Sequence, residues 1–170
     1  SSTVPMPGIG CWLSYGLGSL NPNMPAYTVL CEHLPYAGSQ VWDSLFLPPI
    51  HQGVRIIPGP EPIANVHNQS TPSTVLEMEQ RMLHKLNELH AASRQGDLEL
   101  QARMRANQTA SGMMKVAPQA LDVRRETQEL LNLYGVEPGD NKSFSWQCLA
   151  ARRLIEQGVR VVELIESGAN

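Results

Sequence analysis

WQCLAARRLIEQGVRVVELIESGAN, residues 146–170, is the stretch that decides the fold. Ser143 or Ser145 places a hydroxyl where it can cap a helix running from Trp146 to Gln157. Gly158 then stops the helix, because glycine takes a left-handed terminal conformation without a Cβ clash. Val159 to Ile165 reads as a strand, with Val159, Val161 and Ile165 on one face and Val162 and Leu164 on the other. A strand that is apolar on both faces suits a parallel sheet covered by helices on both sides. Helix, glycine and strand make half of a βαβ unit, so the class is α/β.

Working back from this unit, Gly135 reads as the stop of a helix over about Arg125 to Leu133. Two longer helices precede it. Ser70 or Thr71 is the expected N-cap of the first, with Pro72 opening it and Ser93 near its end. Its Val75, Met78, Met82, Leu86 and Leu89 recur at three- and four-residue steps, the signature of a core-facing stripe. Gly96-Asp97 breaks and recaps the chain, and a second helix follows to about Val116. Leu98, Ala102, Ala106, Ala110, Met113 and Val116 form its stripe, and Pro118 is expected to end it. The short break implies an antiparallel hairpin over residues 72–117.

Nearer the start, Gly8–Gly18 carries Ile9, Trp12, Leu13 and Leu17 at helical spacing, with Gly18 as its stop. Asn21-Pro22-Asn23 is a turn, and Ala26–Cys31 is a buried strand by its β-branched and aromatic content. From Pro35 to Thr71 periodicity fails among six prolines (at 35, 48, 49, 58, 60 and 62), and only Val54–Ile57 reads as extended. Trp42, Phe46, Leu47 and Ile50 make this loop too apolar for a free tether.

The chain has 170 residues, 42% apolar and 17% charged, with net charge −3. That length suits one domain or part of one. The charge supplies no general attraction to nucleic acid, and no stretch approaches the ~20 apolar residues of a membrane span. Cys11, Cys31 and Cys148 show no metal-ligand spacing and leave open either one disulfide with a spare thiol or a fully reduced set. The first residues lack an initiator methionine and a signal peptide, and the last stop as a strand finishes, so both ends read as cut.

No complete catalytic set is visible. Five histidines form no HExxH and no ligand cluster; His84 and Glu88 read as an exposed helix pair, and His51, in the Pro-rich loop, is the one to watch. Gly8, Gly10, Gly16 and Gly18 flank a helix rather than join a strand to one, which excludes a dinucleotide loop. Ser14, outside any G-x-S-x-G elbow, reads as a helix-surface hydroxyl. Glu163 shares a face with valines and needs a partner such as arginine. Arg152 and Arg153 read as solvated or paired with an acid on the sheet. Glu166 is at the carboxyl end of its strand, where open α/β sheets place ligands.

GCWLSYGLGSLNPNMPAYTVL, WDSLFLPPIHQGV, NELH with the helix after it, LNLYGVEPG and CLAARRLIEQGVRVVELIESGAN, in that order, resemble the central part of a bacterial domain-of-unknown-function family of the alkaline phosphatase/arylsulfatase superfamily. The resemblance covers essentially the whole chain. It departs at Pro7-Gly8-Ile9-Gly10-Cys11-Trp12, where the family usually has Pro-Ser/Thr-Met-Gly-Ser-Trp.

What the resemblance implies is a sulfatase-like hydrolase two to three times this length, exported by a twin-arginine signal and folded as an α/β/α sandwich. Divalent metals would sit at the strand ends, with their ligands in segments before residue 1 and after Asn170. Carried over position by position, this chain contributes no metal ligand. The expectation is therefore a partial alkaline-phosphatase-like sandwich with a helical-hairpin excursion, an internal piece of one larger domain. It would be inert alone and completed by the rest of the parent chain, with a phosphate or sulfate ester as substrate and His51 and Glu166 nearest to it. An exported non-catalytic binding or surface-structural protein keeping the fold is the alternative. A self-sufficient small α/β domain with a pocket around His51 and Trp42 is a third reading.

Overall fold

The computed structural model describes residues 4–63, 72–94 and 96–166. Five α-helices and a three-stranded parallel sheet make up the described fold, which is mixed α/β and helix-rich. In chain order these are α1 (Ile9–Leu17), β1 (Tyr27–Cys31), β2 (Val54–Ile56), α2 (Ser73–Ala92), α3 (Leu98–Leu121), α4 (Gln128–Tyr134), α5 (Phe144–Glu156) and β3 (Val161–Ile165). Short 3-10 turns occupy Gly38–Val41, Pro49–His51 and Val123–Arg125.

The sheet order is β2-β1-β3, with β1 central and buried throughout. Thr28 is level with Val54 on one side and with Val162 on the other. Because the strands are parallel, all three carboxyl ends lie at one edge and all three amino ends at the other. On one face of the sheet Tyr27, Val29 and Cys31 pack with Cys11, Trp42 and Leu47 beneath α1. On the other, Leu30 and Ile56 meet Met24, Trp146, Leu149 and Leu154, together with Met113, Ala117 and Leu121 of α3. β3 is half-buried along its whole length, as a sheet-edge strand is.

Local signals place the ends of several elements. Ser143 Oγ accepts from Trp146 N at 3.0 Å and caps α5. Gly135 ends α4 at φ 71°, in the left-handed region where a Cβ would be strained. Thr127 caps α4, so the helix starts three residues later than expected and Val123–Arg125 forms a separate 3-10 turn. The expected caps Ser70 and Thr71 lie outside the described residues, as do Ser167 to Asn170.

Four expectations need correction. Pro118 does not end α3, which continues to Leu121. Burial of Ala117, Ala120 and Leu121 favours continuation despite the N–H that proline lacks. The apolar stripe of α2 is not core: Met78 is 61% exposed and Met82 65%. Gln80, His84 and Asn87, on the opposite side of α2, instead face a cleft against the body of the protein. Along α3, Ala106 and Ala110 are exposed and burial begins only at Gly112 and Met113.

The same inversion occurs in α1. Ile9, Trp12, Leu13 and Leu17 are exposed, while Gly10, Cys11 and Ser14 are buried. Helical spacing correctly marked a stripe in both helices but not the direction it faces. In α1 the small side lies inward because the helix backbone sits against the ring of Tyr27, where a Cβ at Gly10 would overlap the ring atoms.

Candidate functional site

Among the described residues, two of the concave regions lie at opposite edges of the sheet. The larger, about 1100 Å³, is at the amino edge between the α2–α3 pair and the loops that lead into β1 and β2. Ser14, Asn23, His51 and Gln52 line one wall; Gln80, His84 and Lys115 line another. The walls are tied together where α3 meets the loop before β1. Thr109 Oγ1 donates to Pro22 O at 3.3 Å, and Gly112 allows Asn23 to approach so closely that a Cβ there would meet Asn23 atoms at 2.6–2.7 Å.

Ser14 is the main revision at this edge. Its side chain is buried, not on the helix surface, and its Oγ is 3.0 Å from Nδ1 of His51. Tyr15 packs edge-on against the same imidazole at 5.3 Å between ring centres. Burial lowers the His51 pKa from its usual 6.5, which keeps the ring neutral at pH 7. Among the described residues no carboxylate bonds to this imidazole, so the pair lacks the third group that orients a catalytic base. Its evident role is to fix α1 to the Pro49–His51 turn. Trp42 is not part of this cleft; it is buried beneath α1 and its carbonyl accepts from Gly53 N.

The smaller cavity, about 410 Å³, lies on the carboxyl side, between the loop after β2 and the start of α5. Glu61, Asp122 and Asp140 line it. Asp122 is held by Arg124 at 2.7 Å and Arg125 at 3.5 Å, and its hydrogen bond to Arg124 draws its pKa below the usual carboxylate range. Asp140 accepts from the backbone N–H groups of Lys142 and Ser143 and from the Ser143 hydroxyl. These bonds overcome its burial and lower its pKa too. Both carboxylates are thus committed to local structure.

Glu166 is exposed, just beyond β3 at the carboxyl edge. Burial, followed by the negative charge of Glu166, raises the pKa of Cys148. His51 lies just before β2 at the other edge, so the two candidates are at opposite ends of the strands, on either side of β1. At the carboxyl edge the Arg55 guanidinium donates to the carbonyls of Cys31 and Glu32 and lies 5.9 Å from the Trp42 ring centre. Sequence reasoning passed over Arg55, because only the β1–β2 pairing brings it to residues more than twenty positions earlier.

Glu163 is paired not with arginine but with Tyr27, whose hydroxyl donates to it. Arg152 pairs with Glu156 along α5 at 2.8 Å. Arg153 reaches Glu126 and the carbonyls of Gln119 and Ala120, none of which is on the sheet. The expected His84–Glu88 pair is present at 3.2 Å. All three cysteines are free thiols. Among the described residues no group of three or more His, Cys, Asp or Glu side chains is placed to hold a metal ion, and no helix is long and apolar enough to cross a membrane.

Residues 1–168 match the model of a family described as a protein of unknown function, DUF1501. The chain belongs to that family. The DUF1501 description names no activity, metal or compartment and does not connect the family with the sulfatase superfamily. No curated protein and no solved structure matches the chain.

Proposed function

We propose that this DUF1501 chain is scaffold for a metal-dependent phosphatase- or sulfatase-like hydrolase of phosphate or sulfate esters, and that it is inert alone. The observation that carries this reading is the parallel β2-β1-β3 sheet, covered by α1 on one face and α3 and α5 on the other. Such a layered arrangement is what part of the α/β/α sandwich implied by the sequence resemblance would require. Ligands of such sheets bind beyond the carboxyl ends of the strands, the edge where Arg55 and Glu166 lie.

The residues at that edge do not fit a metal by themselves. Asp122 and Asp140 are occupied by local donors, and a guanidinium lies against Cys31. In this proposal the metal ligands come from the rest of the parent chain. The residues described here hold the sheet on which those ligands converge. An outer segment pairing with β3 would cover its half-buried Val161, Val162 and Leu164. Export of the parent is part of the same proposal.

The test is metal analysis of the full-length protein, combined with aryl phosphate and aryl sulfate hydrolysis before and after chelation. Stoichiometric metal and chelator-sensitive hydrolysis are expected. A metal-free protein inactive on both esters overturns the reading. The outward apolar faces of α1 and α2 favour a second reading, a non-catalytic binding or surface-structural protein that uses them as contact surfaces. That reading gains if hydrolysis is absent while a partner protects these faces from hydrogen exchange.

A further inference from the structure

The amino-edge cleft differs chemically from the cavity at the other edge. The chain carries 16 Asp and Glu, three of them lining the carboxyl-side cavity, yet none lines the cleft. Its fixed charges are Arg105 and Lys115, and neither forms an ion pair with another described residue. The cleft is also rich in primary amides: Asn23, Gln52, Gln80, Asn87, Asn107 and Gln108 all line it. Each amide presents a donor and an acceptor side by side, which suits the neighbouring hydroxyls of a sugar ring.

We propose that this cleft binds an acidic saccharide, with separate acid groups drawn to Arg105 and to Lys115, which lie about 15 Å apart along α3, and the hydroxyls bonded to the amide-rich walls. The volume, about 1100 Å³, leaves room for more than one sugar unit, since pockets for drug-sized molecules span about 300–1,000 Å³. The site explains why α2 turns Gln80, His84 and Asn87 inward and leaves its methionines outside. It lies at the opposite edge from the proposed ester site and stands whether or not the parent is a hydrolase.

Titration calorimetry of the intact protein tests this with three probes: a tetrasaccharide of alternating glucuronate and N-acetylglucosamine, the same tetrasaccharide with its carboxylates reduced to alcohols, and sodium sulfate. The acidic tetrasaccharide should bind saturably, and the reduced one roughly tenfold more weakly, the loss expected when a charge-assisted bond is removed. Lys115→Gln and Asn107→Ala, both at exposed α3 positions, should each weaken binding about threefold or more at unchanged thermal stability. Lys85→Gln, outside the cleft, should bind as the parent does. Equal affinity for the reduced saccharide, saturable binding of sulfate alone at the same strength, undiminished binding by the two α3 variants, or no saccharide binding would each overturn the proposal.

Discussion

The Tyr27 hydroxyl donates to Oε2 of Glu163 across neighbouring parallel strands, joining residues 136 positions apart. Val29, not Tyr27, is level with Glu163, so the bond is a diagonal reach between side chains on one sheet face. Burial, followed by the Glu163 hydrogen bond and charge, raises the Tyr27 pKa. Tyr27→Phe should cost about 1–3 kcal/mol in urea denaturation, because Glu163 loses its donor in a half-buried place. Glu163→Gln, which still offers an acceptor, should cost less.

The same pair predicts an alkaline limit. The fold favours the neutral phenol, so this contribution is whole below the unfolded tyrosine pKa of 10.0 and is lost as pH rises above it toward the higher folded value. Unfolding free energy should therefore fall above pH 10. The fall should be shallower in Tyr27→Phe; identical slopes in the two proteins would exclude Tyr27 as its source.

Adjacent arginines on α5 should behave differently. Arg153 is 15% exposed in its side chain and holds Glu126 together with two backbone carbonyls. Arg153→Ala should cost about 2–4 kcal/mol, since it strands a largely buried carboxylate and two acceptors. The more exposed Arg152–Glu156 pair, screened by solvent, should contribute little, so Arg152→Ala should leave stability nearly unchanged. Chemical denaturation of the two single variants measures the contrast.

Gly10→Ala should destabilise by about 1–3 kcal/mol, because the added methyl overlaps the Tyr27 ring in a closely packed layer. In a Tyr27→Leu background the same Gly10→Ala change should cost less, which thermal melts of both single variants and the double variant would reveal.

On α2, Met82→Lys should leave stability within about 0.5 kcal/mol, as exposed substitutions usually do, and should reduce binding of a hydrophobic dye. Met113→Lys places an unpaired charge in the core beside Ala117 and Leu121 and should unfold the protein. Circular dichroism distinguishes the two outcomes.

Much of this architecture was legible without coordinates, and for a common reason. Ser143 as a cap, Gly135 and Gly158 as helix stops, and the run from α5 into β3 depend on interactions within a few residues. Parallel pairing was also readable, because a strand apolar on both faces cannot leave either one in water without cost. The family match spans residues 1–168 and so covers these locally determined elements.

Tertiary packing alone decided the rest. Periodicity marked the stripes of α1 and α2, but whether a stripe turns inward depends on what occupies the other side; beneath α1 the Tyr27 ring leaves no room for a side chain at Gly10. The bonds of Ser14 to His51 and of Tyr27 to Glu163 join distant segments, so no spacing rule could reveal them. The sequence by itself determined where the elements with a clear cap or glycine stop begin or end, as at Ser143, Gly135 and Gly158, since backbone sterics and capping act over a few residues. The sheet determined which edge each side chain reaches, because strand direction and register exist only once the strands have paired.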